Sequence, residues 1–356
     1  MTRPIRALVR SSALRSNLAV ARALAPRARV FAVIKADAYG HGMLRAAAAL
    51  AQADGFAVLE LDAAARLRAA GFEQRILLLE GFFEPAELPE LVQHRVAAVL
   101  HSPEQLRMLE LARLPAPVGV FIKLNTGMNR LGFPPADLPG VLQALRACAN
   151  TGEITLMTHF ACADDARGID WQLGAFRRAS SGLDLPLSLA NSATLLRYPE
   201  VAAGWARLGI MLYGASPFAE QTAAVLGLQP AMTLTSRVMA VQALQAGACV
   251  GYGATFTAPT PMRVGLVACG YADGYPRHAP TGTPVLVAGT RTRLIGRVSM
   301  DMLCVDLSAV PGAGVGAPVV LWGEGLPVEE VAAAAGTISY EVLCALAPRV
   351  PVVEVE

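Results

Sequence analysis

The 356-residue sequence lacks an excess of charge, a long apolar run and any close pair of cysteines. Lys and Arg number 30 against 28 Asp and Glu, a balance that indicates no nucleic-acid partner. The longest stretch without a charged residue, 238–262, contains three glycines and two prolines, so no membrane span is predicted. The six cysteines stand at least fourteen residues apart, which excludes a disulfide framework and a zinc ribbon. We therefore expect no metal, and thiols in a reducing compartment.

The first 36 residues lack acidic side chains and carry seven arginines and three serines. This composition is typical of an organelle transit peptide. A first helix of the folded domain competes with that interpretation, because Ser11 or Ser12 can cap a helix and Leu14, Leu18 and Leu24 fall roughly on one stripe. We favour the helix, and with it a cytoplasmic location.

Apolar runs alternate with amphipathic segments over the first two thirds of the chain. Each run is short enough for a buried parallel strand, and helical patterns lie between the runs. The eight runs are 30–34, 56–59, 76–79, 97–100, 118–124, 154–158, 185–189 and 208–212. Eight such units predict an α/β fold that begins with an N-terminal (β/α)8 TIM-type barrel over residues 1–227, although an open doubly wound sheet would also alternate.

Beyond residue 227 the chain becomes rich in proline and glycine, and short β-branched runs replace the helical patterns. This texture predicts a mostly antiparallel C-terminal β domain over residues 228–356. Two helices are expected near its end, at 327–335 and 340–346.

Lysine is almost absent, since the chain has 28 arginines and only Lys35 and Lys123. A guanidinium does not act as a primary amine, so lysines retained in such a chain suggest a chemical role. Both follow apolar runs, and in a barrel both would lie on the catalytic face, where desolvation lowers the pKa of an amine. A neutral amine there can form a Schiff base with a substrate or with pyridoxal phosphate. A buried ion pair with an acid such as Asp37 is the alternative.

Nine collinear segments resemble those of bacterial alanine racemases, and together they cover nearly the whole chain. The first, 33–42 (VIKADAYGHG), resembles the family's cofactor-lysine motif. The others are 123–132 (KLNTGMNRLG), 157–160 (MTHF), 191–192 (NS), 207–210 (RLGI), 251–256 (GYGATF), 270–274 (GYADG), 296–301 (GRVSMD) and 340–341 (YE). The resemblance implies a fold-type III pyridoxal 5'-phosphate enzyme that forms a homodimer with shared active sites.

The resemblance also assigns the groups that move protons. Lys35 resembles the lysine that holds the cofactor as a Schiff base and serves as a base on one face of the substrate Cα. Tyr252 resembles the base on the opposite face, contributed by the partner subunit and acting on the external aldimine. Arg207 resembles the residue that faces the pyridine nitrogen, whereas decarboxylases of similar fold usually place an acid there.

Further residues resemble those that bind cofactor and substrate. The remaining cofactor-binding group is Tyr39, His159, Asn191, Ser192, Gly209, Ile210 and Tyr340. His159 resembles the histidine that links Arg207 to Tyr252.

The substrate-binding pair that the resemblance implies is Arg130 and the backbone N–H of Met300. These groups would hold the substrate carboxylate. Lys123 resembles a lysine that is carbamylated in many members and positions Arg130. Tyr271 and Asp301 resemble residues at the access to the site.

The function implied by this resemblance is interconversion of L- and D-alanine by a two-base mechanism. D-alanine would be supplied for cell-wall peptidoglycan or removed in catabolism. A decarboxylase or a broad-specificity racemase on the same architecture is one alternative, and a non-enzymatic carrier of pyridoxal phosphate is another. Arg207 argues against decarboxylation, and the C-terminal domain argues against the carrier.

Overall fold

The computed structural model describes residues 3–202 and 204–356. They form two compact units. The first, called the barrel unit, comprises residues 18–35 and 43–209, and the second, called the β unit, comprises 3–17, 36–42 and 210–356. These units divide the chain differently from the predicted boundary after residue 227, which stays a prediction.

The described chain begins with strand β1 (Arg6–Arg10) and helix α1 (Ser11–Leu24). Leu14 and Leu18 are buried along one side of α1, as the periodicity predicts. The expected first helix is therefore confirmed.

Eight parallel strands form the barrel of the barrel unit. They are β2 (Arg29–Val33), β3 (Gly55–Val58), β4 (Arg75–Leu78), β5 (Val96–Leu100), β6 (Val118–Lys123), β7 (Thr151–Met157), β8 (Leu187–Ser188) and β9 (Trp205–Leu208). Strands β2 to β8 pair in sequence order, and β9 pairs with β2. The barrel closes between β8 and β9, where Arg207 N donates to Ala190 O at 2.8 Å and a bridge joins Ser188 to Gly204. This closure confirms the predicted (β/α)8 fold and excludes the open sheet.

Helices follow the strands around the barrel. They are α2 (Met43–Ala49), α3 (Leu61–Ala69), α4 (Leu88–Gln93), α5 (Pro103–Leu111), α6 (Leu138–Ala147), α7 (Asp170–Ala179) and α8 (Ser192–Arg197). Pro103 occupies the first turn of α5, and Ser102 accepts a hydrogen bond from Gln105 N at that helix start. The short helices α4 and α8 were not predicted, since six residues give too little periodicity.

The eighth barrel strand lies a few residues earlier than predicted. The sequence predicts a strand at 208–212, whereas β9 is Trp205–Leu208 and Ile210–Tyr213 is a 3-10 helix. The apolar run misled the prediction because β9 contains Arg207, a charged residue that is only 4% exposed. A search for apolar runs misses a strand that carries a buried charged side chain.

An aromatic cluster, called the floor, fills the interior of the barrel. The ring of Phe31 stacks on Trp205 with centroids 4.0 Å apart and meets Phe121 edge-on at 5.8 Å. The guanidinium of Arg29 covers Trp205 at 4.3 Å. A Cβ at Gly55 would lie 2.5 Å from the Phe31 ring, so only glycine fits beside it.

The β unit contains an eight-stranded, mostly antiparallel sheet, which confirms the predicted C-terminal fold. After β1, its strands are β10 (Met232–Leu244), β13 (Met262–Val267), β14 (Pro284–Val287), β15 (Thr290–Ile295), β16 (Leu303–Asp306), β17 (Pro318–Trp322) and β18 (Val352–Val355). A small hairpin pairs β11 (Cys249–Val250) with β12 (Phe256–Thr257). Helices α9 (Val328–Ala334) and α10 (Ser339–Cys344) lie within two residues of the predicted ranges.

Strand β1 joins this sheet, although the sequence predicts residues 1–227 as barrel. It pairs antiparallel with β10 and parallel with β18, so both ends of the described chain meet in the β unit. Within residues 3–202 and 204–356, no helix combines the length and apolar character needed to cross a bilayer.

We expect the floor to stabilise the barrel strongly. Phe31→Ala removes a fully buried ring and should lower the free energy of unfolding by about 3–5 kcal/mol. Urea unfolding followed by circular dichroism measures the loss. Phe83→Ala is the matched control, because its side chain is 63% exposed. Equal shifts for both variants would contradict the role of the floor.

Candidate active site

Strand alternation carries two cationic residues to the side of the barrel above the floor, and a third lies beside them. Residues two apart on a strand share a face. Lys123 and Arg207 each follow a floor aromatic by two residues, and Lys35 follows another by four. The side chains of Lys123 and Arg207 therefore belong to the same interior face, at the carboxyl ends where barrel enzymes place their sites. Lys35 lies two residues beyond the end of β2, and its positive charge acts on Lys123 beside that face.

Arg207 is a buried guanidinium held by neutral acceptors. Its Nη1 donates to the backbone and side-chain oxygens of Ser188, both at 2.7 Å, and its Nη2 donates to Thr158 O at 2.8 Å. Among the described residues, no carboxylate pairs with it. Burial lowers the pKa of Arg207 to about 10, which still leaves it charged at neutral pH.

Lys123 is buried beside other cations. Desolvation, followed by the positive charges of Arg207 and Arg130, lowers the pKa of Lys123 to about 8. Glu80 opposes this shift, and the charge of Lys35 adds a smaller lowering. The expectation that desolvation depresses an amine pKa here is confirmed for Lys123. A substantial neutral fraction near physiological pH is available for chemistry.

The loop after β6 places Arg130 at the mouth of the barrel. The loop folds back on its strand, since Asn125 N donates to Phe133 O (2.9 Å) and Phe133 N donates to Lys123 O (2.8 Å). The Asn125 Oδ1 accepts from Gly127 N at 3.2 Å, which forms an Asx turn, and from Asn129 N at 3.0 Å, and both bonds brace the loop. Arg130 follows Asn129 in the chain, and its exposed side chain is accessible to an anionic ligand.

His159 follows β7 and lies next to Arg207. Its Nδ1 is 3.4 Å from Arg207 Nη2. Desolvation, followed by the charges of Arg207 and Lys123, holds the pKa of His159 well below its ordinary value. The imidazole is therefore neutral and can accept from the guanidinium. Its link to Tyr252 stays a prediction.

Gln172, which sequence reasoning missed, connects two loops of the site. Its Nε2 donates to Thr126 Oγ1 (3.2 Å) and His159 O (3.1 Å), and its Oε1 accepts from Ala161 N (2.6 Å). The side chain is fully buried on α7. An amide on the apolar stripe 169, 172, 173 and 176 was the available signal.

Ser192 and Gly209 come together at the ends of β8 and β9. Gly209 N donates to Ser192 Oγ at 3.1 Å. Asn191 Oδ1 accepts from Thr194 N at 2.9 Å and thereby caps α8. The Asn191 side chain thus has a structural task, and its contact with a cofactor stays a prediction. Ile210, which follows Gly209 in the chain, is buried.

The half-buried Lys35 precedes a left-handed turn. Residues 36–39 have φ values of 51°, 50°, 55° and 53°, without a glycine among them. Each such residue costs about 1–2 kcal/mol, so the turn is strained in the way that functional segments often are. Hydrogen bonds from Gly40 N to Ala36 O (3.1 Å) and from Gly42 N to Asp37 O (2.9 Å) hold it.

Tyrosine rings pack around that turn within the β unit. Tyr39 is buried and stacks on Tyr213 with centroids 4.6 Å apart, while Tyr340 lies 6.0 Å away. Burial, followed by the neighbouring Tyr340, raises the pKa of Tyr39 well above its ordinary value. Tyr39 therefore keeps its proton and offers an O–H donor. Tyr213 is a packing partner that the sequence motifs did not reveal.

The other predicted residues of the β unit are exposed. Tyr252 is 69% exposed and Met300 is 53% exposed. Tyr252 stands in a turn in which Gly251 has φ 70°. Tyr271 N donates to Ser299 O at 3.0 Å, which places Tyr271 beside Met300 and Asp301.

The fold and these side chains define a class: a (β/α)8 barrel enzyme with amines at its mouth, followed by an antiparallel β domain. The model for the alanine racemase N-terminal domain matches residues 9–217, and the model for the C-terminal domain matches 231–354. The chain belongs to the alanine racemase family, whose members are pyridoxal-phosphate-dependent isomerases.

Relatives and solved structures agree with this assignment. The alanine racemase of Nitrosospira multiformis is 62% identical over 98% of this chain and 99% of its own. That of Nitrosomonas europaea is 60% identical over 99% of both. The crystal structure of the biosynthetic alanine racemase from Pseudomonas aeruginosa superposes with a TM-score of 0.97 at 49% identity, covering both chains completely.

We expect Lys123 to titrate with a midpoint near pH 8 rather than near its ordinary 10.5. The amine is charged below that pH and neutral above it. Because the chain has only two lysines, lysine labelled with carbon-13 at Cε gives two resonances, and Lys123→Met identifies one of them. The titration is followed in buffer free of carbon dioxide, and a midpoint above pH 10 would contradict the desolvation of this amine.

Proposed function

We propose that this protein interconverts L- and D-alanine with pyridoxal 5'-phosphate as cofactor. The observation that carries the proposal is the grouping of Lys35, Lys123 and a carboxylate-free, buried Arg207 at one end of the barrel. The 54–62% identity to proteins called alanine racemase, over nearly the whole chain, supports it.

The residues present fit this cofactor. A buried guanidinium without a carboxylate partner suits an aromatic ring nitrogen, to which it can donate. The hydroxyl of Ser192, which the N–H of Gly209 holds in place, and the protonated hydroxyl of Tyr39 suit a phosphate. We propose that Tyr340, Asn191 and Ile210 complete this group.

When bound, pyridoxal phosphate supplies an aldehyde that condenses with amines and a conjugated ring that takes up electrons from the substrate Cα. Lys35 Nζ would hold the cofactor and would take or return a proton on one face of Cα. Tyr252 Oη does the same on the other face. Two bases on opposite faces invert the centre without turning the substrate over.

Arg130 and the N–H of Met300 would bind the substrate carboxylate and so fix the direction of the Cα–H bond. The neutral His159 accepts a hydrogen bond from Arg207. It would in turn form a hydrogen bond with Tyr252 and so orient that side chain. Arg207 keeps its protons at neutral pH and would therefore donate to the ring nitrogen without protonating it. An acid at this position would favour decarboxylation, so Arg207 supports the racemase.

Lys123 is proposed to act as a carbamate that positions Arg130. Its depressed pKa makes neutral amine available. The amine nitrogen bonds to the carbon of carbon dioxide and its proton passes to solvent. The resulting anion would offset the positive charges around it.

We propose a homodimer in which each copy completes the partner's site. Tyr252, Tyr271 and Met300 are large side chains that are exposed on the β unit. Exposed apolar groups of this size mark interaction surfaces. We propose a cytoplasmic protein that supplies D-alanine for peptidoglycan or degrades it, with alanine as its small-molecule substrate and without a nucleic-acid or membrane partner.

Lys35 should be the point of attachment and indispensable for turnover. The wild-type protein is expected to convert L- to D-alanine, measured by chiral chromatography over a panel of single-enantiomer amino acids. Borohydride reduction should fix the cofactor to the peptide containing residue 35, and Lys35→Ala should abolish both attachment and turnover. Lys123→Met is the matched control for attachment, and cofactor bound to residue 123 would contradict the proposal.

Tyr252→Phe should separate the two faces of the substrate. The variant lacks the phenolic base, and exchange of the Cα proton of L-alanine with deuterated water should fall about 10²-fold or more. Exchange from D-alanine, assigned to Lys35, should fall far less. Nuclear magnetic resonance follows both rates, and equal losses would overturn the assignment of faces.

A further inference from the structure

The turn that carries Met300 is fastened to the turn at 270–273. Tyr271 N donates to Ser299 O and Ala272 N donates to Met300 O, both at 3.0 Å. A Cβ at Gly270 would lie 2.3 Å from those same oxygens, so only glycine permits this approach. The position of the Met300 backbone therefore follows that of the 270–273 turn.

Asp273 is the fully buried centre of that turn. Its carboxylate accepts from Gly270 N at 2.9 Å, from both terminal nitrogens of Arg3 at 2.7 and 3.0 Å, and from Arg349 Nε at 2.8 Å. A carboxylate removed from water is tolerated when it is paired and hydrogen-bonded, as here. Its four contacts fix the carboxylate in place.

Both arginines reach beyond Asp273 to the residue that follows Met300. Arg3 Nη2 donates to Asp301 O at 2.6 Å, and Arg349 Nη2 donates to Asp301 Oδ1 at 2.7 Å. A guanidinium spans two acceptors in one rigid plane, which a lysine ammonium does not do. The main chain and the side chain of Asp301 are thus each tied to Asp273.

We propose that Asp273, Arg3 and Arg349 are positioning residues that hold the Met300 N–H for the substrate carboxylate. The inference rests on the proposed function, in which that N–H is half of the carboxylate clamp. Within the described part of the chain, the Met300 N–H has no hydrogen-bond partner, so it is available for a ligand. We call these three residues the brace. Removing one of its contacts should weaken binding of the carboxylate end of a ligand and leave binding of the amine end unaffected.

The test uses two fragments of the substrate and the holoenzyme. Propionate has the carboxylate without the amine, and ethylamine has the amine without the carboxylate. Arg349→Met should weaken propionate binding by roughly tenfold, since small misplacements of a binding group have large effects, and change ethylamine binding less than twofold. Arg349→Lys keeps the positive charge but cannot span both Asp273 and Asp301, so propionate binding should weaken by an intermediate factor.

Arg293→Met is the matched control. Arg293 also pairs with a carboxylate of the β unit, since its Nε and Nη2 donate to Asp306 Oδ2 at 3.2 and 3.1 Å. These bonds do not involve the 299–301 turn. This variant should bind both fragments like wild type. Arg3→Met gives a second route to the same loosening, and it should add little to Arg349→Met because both arginines share Asp273.

Hydrogen exchange provides a readout independent of turnover. The amides of Tyr271 and Ala272, which donate to the Met300 turn, should exchange faster in Arg349→Met and at the wild-type rate in Arg293→Met. Equal weakening of propionate and ethylamine, or of neither, would overturn the inference while leaving a racemising wild type intact. A wild type that fails to racemise alanine would instead refute the proposed function, whatever the fragments show.

Discussion

The burial of positive charge at one end of the barrel is the constraint on which the site depends. Arg207 and Lys123 share an interior face, Lys35 lies beside it and Arg130 stands at its edge, while the acids near them are few. Such a cluster is costly in a medium that solvates ions poorly. The lowered pKa values of Lys123 and Arg207 reflect that cost, and an anionic ligand would relieve it. The chemistry we propose uses this imbalance, because phosphate, carboxylate and carbamate are all anions.

The cluster of positive charges is supported by the packed aromatic floor on one side and by hydrogen bonds from the surrounding strands and loops. The aromatic residues of the floor precede the cationic residues by a few positions on the same strands. Each strand therefore contributes first to the packed core and then, at its carboxyl end, to the candidate site. Neutral acceptors hold Arg207 without discharging it, and Gln172 joins the two loops beside it. In the β unit, the brace at Asp273 plays the corresponding part for Met300. Supporting groups of this kind fix the reactive ones to fractions of an ångström.

Much of this arrangement could be predicted from sequence. Apolar runs located most barrel strands, and the scarcity of lysine singled out Lys35 and Lys123 before any resemblance was considered. The prediction failed where a buried charge or an unusual backbone conformation interrupts the apolar pattern. Strand β9 was displaced because Arg207 breaks its apolar run, and the left-handed turn at 36–39 contains no glycine to announce its φ values. The pairing of β1 with β10 was not predicted, because the two strands lie more than two hundred residues apart in the chain.

The sequence by itself determined the eightfold alternation, the antiparallel pattern of the C-terminal part and which residues are candidates for the reactive groups. Those features are local, since periodicity and residue chemistry act within a few positions of the chain. Only the tertiary structure decided that Arg207 has no carboxylate partner, that Lys123 is desolvated beside three cations, and that Arg3 and Arg349 converge on Asp273. Burial and charge proximity arise between residues far apart in the chain, and a linear pattern carries no record of them.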